Sequence, residues 1–294
     1  MLLIAGGRDD HNLARLADAA ADRGYPCRLL CHNKDGGPPP VSWNIADGVL
    51  HAGGESFTPR GTSVYVRYDV FSMLADPQSP HLATISGAWF DMVKGWALAY
   101  PEIGVLNRRN ESREVNKARA LVLAKQAGFT VPETVVTNRF DGFPDPARYI
   151  AKPVGGGAYT RALTEMTGGE APFFVQEKLD YPELRIFRVG AHFFSFRIES
   201  ATLDSREDTG MTITEVTPPA KLLKFMKRLA NALGLDYAAA DFKTCPATGD
   251  FKFLEINTMP IFTGYDNVVD GRLSDAIFLT LMQIKEKAPG PRKA

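Results

Sequence analysis

The chain is poor in the residues that thiolate and nucleophilic chemistry use, with three cysteines and five histidines among 294 residues. An odd cysteine count cannot build a disulfide framework. Cys27 and Cys31 lie four apart with no second pair, so they read as plain thiols rather than zinc ligands. No apolar run approaches the ~18 residues of a membrane span, and the N-terminus lacks a charged lead and a cleavage site, which points to the cytoplasm. Net charge is missing too: 34 Lys and Arg offset 34 Asp and Glu, which argues against a general nucleic-acid binder. Gly6-Gly7 stands ahead of a helix, but the third glycine and the acidic residue of a dinucleotide fingerprint are absent, which argues against a Rossmann dehydrogenase. What remains is a soluble composition, 45% hydrophobic and 23% charged, long enough for one large domain or two to three small ones.

The N-terminal third reads as the start of a parallel sheet. Met1 to Ala5 is apolar, His11 to Arg23 keeps helical spacing through Leu13, Leu16, Ala17 and Ala20, Gly24 ends that helix, and Tyr25 to Cys31 follows as a strand. Asp35 to Pro40 is a loop, Val64 to Tyr68 a third strand, and Ile85 to Tyr100 a helix whose Trp89 and Trp96 mark core. Val105 to Asn107 closes this unit as a short strand.

The spacing then predicts a helix over Ser112 to Ala127, with Val115, Ala118, Leu121 and Val122 as its apolar stripe, Lys117 in its first turn and Gly128 as a left-handed cap. A β-rich segment opens at Phe129, and Tyr149 to Pro153 is a strand running into Gly155, Gly156 and Gly157. Three glycines let backbone N–H groups approach an anion, and Lys152 supplies a cation just ahead; the plainer reading is a hairpin tip. Phe173 to Leu179 is a strand, and Leu184 to Phe196 a pair of strands turning at Gly190-Ala191. Arg185 and Arg197 stand on that pair, where each needs an anion or a carboxylate, and both are expected to aim into one cleft. Pro218 to Leu233 is a helix with Leu222, Met226, Leu229 and Leu233 on one face; a last helix spans Leu273 to Lys285 and a tail follows from Ala288.

The chemistry concentrates in two apolar runs, Ala240 to Lys243 and Phe251 to Asn257, separated by Cys245 to Asp250 and read as an antiparallel hairpin. Strand alternation puts Glu255 and Asn257 on one face with Phe251 and Phe253, roughly 6.6 Å apart at Cα, with Asp241 on the partner strand. Asp, Glu and Asn without His or Cys is the ligand set of Mg²⁺ or Mn²⁺, and Mg²⁺ fills its octahedron with water and phosphate, which suggests a nucleotide. The plainer reading is a strand end and an exposed edge.

Taken together, Leu106-Asn107, Asn116-Lys117, Gly128 to Thr134, Ala151-Lys152-Pro153 with its glycines, Val175 to Leu179, Leu184 to Gly190, and Asp241 with Phe253 to Asn257 resemble, in that order, the motifs of the ATP-grasp ligases. The likeness is nearest to the branch of the ribosomal-protein glutamate ligases and the ligases that modify ribosomally made peptides, and it covers nearly the whole chain. It implies an α/β (α+β) chain with the ATP-grasp fold behind an N-terminal parallel α/β domain: 1–106, a lid subdomain 107–178, a catalytic subdomain 179–287 and a tail 288–294. It further implies ATP and Mg²⁺ (or Mn²⁺) as cofactors, with Lys117, Lys152 and Gly155 to Gly157 on phosphate and Gln176, Glu177, Lys178 and Leu179 by the adenine. Glu183 falls on ribose, Asp241, Glu255 and Asn257 on metal, and Arg185 and Arg197 are the catalytic pair. The implied reaction joins a carboxylate to an amine through an acylphosphate with release of ADP; side-chain ester or amide links in a peptide, and a small-molecule kinase, stay open, as does a homodimer. The chain departs from the pattern at Asn116, where Asp is common, and at Thr258-Met259-Pro260, both near the acceptor side.

Overall fold

The protein is described by a computed structural model covering residues 1–32, 40–71, 80–155, 159–166, 170–202 and 210–286. Gly156, Gly157, most of the loop expected before Pro40 and the C-terminal tail lie outside the described residues.

Strand β1 (Leu2–Gly7), helix α1 (His11–Ala21) and strand β2 (Cys27–His32) form the expected β-α-β unit. β1 is buried along its whole length, as an apolar run flanked by parallel neighbours must be. Strands β3 (Val41–Trp43), β4 (Leu50–Ala52) and β5 (Glu55–Phe57) make a small antiparallel sheet. Then come β6 (Ser63–Val66), helix α2 (Pro80–Ala99) and β7 (Gly104–Val105), completing a parallel sheet in the order β2-β1-β6-β7. α2 starts five residues before the apolar spacing does, with a proline suited to a first turn. It buries Phe90, Val93, Trp96 and Ala97, and the Trp96 indole donates to the Gly48 carbonyl at 2.9 Å.

Helix α3 (Lys117–Ala127) is shorter than expected because Asn116 caps it, its Oδ1 accepting from the Arg119 N–H at 2.9 Å. Its buried face is Ala120, Ala124 and Ala127; of the expected stripe, Val115 lies in the core and Leu121 packs against it, while Val122 is 59% exposed. Alanines at that spacing let the helix sit close to its neighbours, with Leu121 and Leu123 packing, partly buried, against the same core. The next sheet is antiparallel, built from β8 (Thr134–Thr137), β9 (Tyr149–Pro153), β10 (Arg161–Ala162) and β11 (Phe173–Glu177) in the order β10-β9-β11-β8.

The largest sheet contains β12 (Asp180–Val189), β13 (His192–Glu199), β14 (Thr212–Glu215), β15 (Tyr237–Thr244) and β16 (Phe251–Asn257), in the order β14-β13-β12-β15-β16. Helix α4 (Ala220–Ala232) leads into β15, and α5 (Thr263–Val268) and α6 (Arg272–Glu286) follow β16. One face of this sheet, with Leu184, Ile186, Phe242, Phe253 and Ile256, packs on the alanine face of α3 and on Leu222, Met226 and Leu229 of α4. Each of those α4 side chains contributes about 1.5 to 3 kcal/mol by leaving water. The other face, with Phe187, Val189 and Phe196, shares a core with α1, α6 and Tyr265.

Polar tethers fix the parallel unit to the segment after β16. Asn12 Oδ1 accepts from the backbone N–H groups of Phe262 (2.7 Å) and Thr263 (3.1 Å). Arg67, buried, donates to Asp10 at 2.6 Å and to the carbonyls of Met259 and Pro260 at 3.0 and 2.9 Å. Asn107 donates to the carbonyls of Tyr237 and Thr258 and accepts from the N–H groups of Asp236 and Tyr237.

Gly128 ends α3 with φ at +110°, and a Cβ built there would lie 2.7 Å from the Phe225 ring. Gly128→Ala should therefore lower unfolding stability by about 1 to 3 kcal/mol, the combined cost of a left-handed alanine and of crowding an aromatic contact; urea denaturation measures it.

Candidate functional site

The site grows from the register between β15 and β16. Asp241 pairs with Glu255, but Phe242 pairs with Phe253, so Leu254 is an extra residue in the ladder. Across that bulge the alternation resets: Phe253 joins the core face while Glu255 stands beside Asp241. The expectation that Glu255 and Asn257 share a face with Phe253 is thus corrected. Because opposite partners in a ladder share a face, Glu183 and Arg185 of β12, Asp241 and Lys243 of β15, and Lys252 and Glu255 of β16 all present to one side.

On that side carboxylates and cations interlock. Arg185 donates to both oxygens of Asp241, at 2.5 and 2.8 Å, and its guanidinium lies 5.1 Å from the centre of the Tyr265 ring. Lys117, the first residue of α3, reaches Glu255 at 3.0 Å. Lys243 pairs with Glu183 at 3.1 Å and Lys252 with Glu177 of β11. The Asn257 amide donates to Asp241 at 3.1 Å and lies 3.5 Å from Glu255. The three residues expected to hold metal are therefore together.

Electrostatics separates their roles. Burial pushes the Glu255 carboxyl up, yet Lys117, Lys152 and Arg185 outweigh it and hold the group below the usual glutamate range. At Asp241 burial wins: with Glu255 and Glu183 adding to it, the carboxyl rises above the aspartate range despite its bond to Arg185. Burial opposes the Arg185 charge too, but the Asp241 carboxylate raises its pKa. Lys152 on β9 is the odd member. Burial lowers its pKa, Lys243 and Lys117 add to the fall, and Glu255 offsets only part. Among the described residues no ion pair involves Lys152.

Other expected residues fall as follows. Gln176 is buried and donates to the Thr134 hydroxyl at 3.0 Å, so it braces β11 against β8. The Lys178 N–H donates to the Arg148 carbonyl at 2.7 Å, and Leu179 is buried beside it. Gly155 is exposed with nothing within 4 Å of where a Cβ would stand, so packing does not require a glycine there. Arg197 is a correction: it pairs with Leu184 in the ladder, hence faces away from Arg185, and binds Glu199 at 2.6 to 2.8 Å on an exposed surface. Counting from Arg185 to Arg197 without the register could not reveal this. Lys243 could have been found by alternation from Asp241; Lys252 could not, because it shares the face of Glu255 only through the bulge at Leu254. Tyr265 and Arg67 left no local signal, since they arrive from a helix and a strand end far away in the chain.

The donor set suits a hard divalent cation accompanied by phosphate. Among the described residues no three His, Cys, Asp or Glu gather as a metal site, and two carboxylates with an amide leave most of an octahedron for water and phosphate oxygens. A cation would take the Oδ1 of Asn257 rather than the NH₂ now facing Asp241, which a turn of the amide supplies. Lys152, half-buried and without an ion-pair partner among the described residues, suits an anion of its own. The residues present therefore fit Mg²⁺ with a nucleotide.

No family model matches this chain, and no curated protein matches it. Solved structures do. The ATP-grasp ligase PsnB, complexed with a phosphomimetic variant of its minimal precursor, Mg and ADP, matches with a TM-score of 0.74 at 20% identity over 96% of this chain and 98% of that one. The macrocyclase MdnC of Microcystis aeruginosa MRC, bound with precursor peptide MdnA, gives 0.71 at 19% identity over 95% and 98%. The VanG D-Ala:D-Ser ligase of Enterococcus faecalis gives 0.57 at 15% identity over 97% and 98%. Across nearly its whole length, the chain has the ATP-grasp fold.

Proposed function

We propose that this chain is an ATP-dependent ligase that joins a carboxylate to an amine, with a peptide as one substrate. The observation that carries the reading is the half-buried Lys152, without an ion-pair partner among the described residues, beside a cluster in which each carboxylate is already held by a cation, an arrangement left one anion short. The bound nucleotide would supply a phosphoryl group to activate the carboxylate as an acylphosphate, with Mg²⁺ neutralising phosphate oxygens. Asp241, Glu255 and Asn257 would hold the cation. Lys152 and Lys117 would meet phosphate oxygens, Lys117 exchanging Glu255 for them. Arg185, locked between Asp241 and Tyr265, would keep Asp241 oriented and present a fixed positive charge to negative charge developing beside the metal. Gly155 to Gly157 would close over the phosphates, and the strand end at Glu177 to Leu179 would border the base. PsnB and MdnC, which bind precursor peptides, support a peptide substrate. The test is ADP release screened against amino acids, small carboxylates and candidate peptides: coupled product supports the ligase, whereas a phosphorylated small molecule would make it a kinase.

Glu255→Gln should cut ADP formation by about 10²-fold or more, the scale for removing a group that stabilises transition-state charge, while circular dichroism stays unchanged; wild-type turnover at saturating Mg²⁺ would refute the metal assignment. Lys152→Met should act in opposite directions on two measurements. Calorimetry should show ATP binding weakened by about 1.5 to 3 kcal/mol, the value of a charge-assisted contact, and the nucleotide-free protein should melt higher, since a half-buried charge that its surroundings disfavour is gone. Arg197→Met should leave product formation within about twofold of wild type, as expected for an exposed ion pair; Arg185→Met should abolish it.

A further inference from the structure

Helices α3 and α4 pack side by side, with Phe225 of α4 edge-on to Phe129 just past the end of α3 and the Arg228 guanidinium donating to the Ala127 carbonyl at 3.4 Å. Neither helix contains an Asp or a Glu. On their outer surface stand six exposed cations, Arg119 and Lys125 of α3 and Lys221, Lys224, Lys227 and Arg228 of α4. Among the described residues none of the six is in an ion pair. A chain with 34 basic and 34 acidic residues could mix the signs here and does not.

That arrangement works against the fold. Lys224 stands three residues from Lys221 and from Lys227 and four from Arg228, the spacings at which like charges on a helix repel. Lys221 and Arg119 lie in first turns, where the helix dipole disfavours a cation. Folding gains nothing from this segregation, whereas a polyanion would meet every one of these charges with attraction. Three kinds of polyanion come into question. A lipid surface takes up the apolar face of a helix, and the apolar face of α4, with Leu222, Met226 and Leu229, is already packed in the core. Nucleic-acid binding goes with a basic domain, and this chain has no net charge. An acidic polypeptide fits best, because the surface mixes its cations with apolar groups: Val122 is exposed, and Leu121, Leu123 and Phe225 are half-buried.

We propose that the outer surface of α3 and α4 is a docking site for an acidic helical segment of another polypeptide, whose carboxylates on successive turns face Lys221, Lys224 and Arg228. Those three span about 10 Å along α4 at 1.5 Å per residue, so glutamates at i, i+3 and i+7 of the partner match them in spacing. The two helices bury their other faces against the large sheet, so docking here is independent of the candidate centre and of the ligase reading.

The test is fluorescence anisotropy of the full chain with a fluorescein-labelled, alanine-based peptide of about 16 residues, long enough to be helical, that carries glutamates at i, i+3 and i+7 beside leucines, and with its glutamine counterpart. The glutamate peptide should bind saturably and the glutamine peptide about tenfold more weakly. The affinity should fall as sodium chloride rises from about 50 to about 300 mM. Lys224→Glu, which exchanges three repulsions for attractions and so keeps the helix, should weaken binding about tenfold. Arg60→Glu, the same charge change at an exposed position of the N-terminal unit, should alter it by less than about twofold. No saturable binding, equal affinity for the glutamine peptide, or an equal loss in the two variants would overturn the proposal. Tighter binding of a labelled single-stranded oligonucleotide, or of vesicles of phosphatidylglycerol and phosphatidylcholine, abolished by Lys224→Glu, would overturn it too, by giving the surface to nucleic acid or to a membrane.

Discussion

The site depends on one extra residue in a strand. Without Leu254 interrupting the ladder, a continuous β16 would carry Glu255 to the same face as Phe253, and that face is the dry core under α3 and α4. A carboxylate there would be a buried charge with no partner. With the bulge, Phe253 and Ile256 stay packed in the core while Glu255 reaches Lys117 and Asn257 reaches Asp241. Bulges commonly re-aim a side chain beside a functional centre. Here it lets seven residues fill an aromatic core and hold Glu255 and Asn257 beside Asp241 at once.

The second constraint is how the segment after Asn257 is held. Thr258 to Thr263 cannot drift, because Asn107, Arg67 and Asn12 take its carbonyls and N–H groups one after another, and the Thr258 hydroxyl donates to the Arg113 carbonyl at 2.6 Å. All of those partners come from the first 113 residues. The parallel unit is thus a brace for the strand that carries Glu255 and Asn257, and α5 carries Tyr265 onto Arg185 from that fixed base. The unusual Thr258-Met259-Pro260 sequence finds its physical role in this brace, and Asn116 finds one as a helix cap.

Most of the architecture was legible in the chain. β9, the α4 face of Leu222, Met226, Leu229 and Leu233, and the turn at Gly190 follow from local periodicity and from glycine's tolerance of positive φ. So did the gathering of Asp241, Glu255 and Asn257. The α3 face was read in part: Val115 and Leu121 pack as expected, but the small alanines that form the buried contact are underweighted by a hydrophobicity pattern, and Val122 is exposed. The placement of Arg197 was misread because a hairpin's turn fixes which residues lie opposite, and opposite residues share a face while sequence neighbours do not.

Lys152 has one more consequence. Protein interiors usually reach their lowest energy empty, and a ligand adds contacts to a structure already content without it. Here the fold holds a half-buried lysine whose charge its surroundings disfavour, so, on the proposed reading, part of the drive for nucleotide binding would be relief of a tension built in when the chain folded. Such a centre sorts incoming molecules by charge before it sorts them by shape: a neutral look-alike with every contact of the true ligand would leave that tension in place.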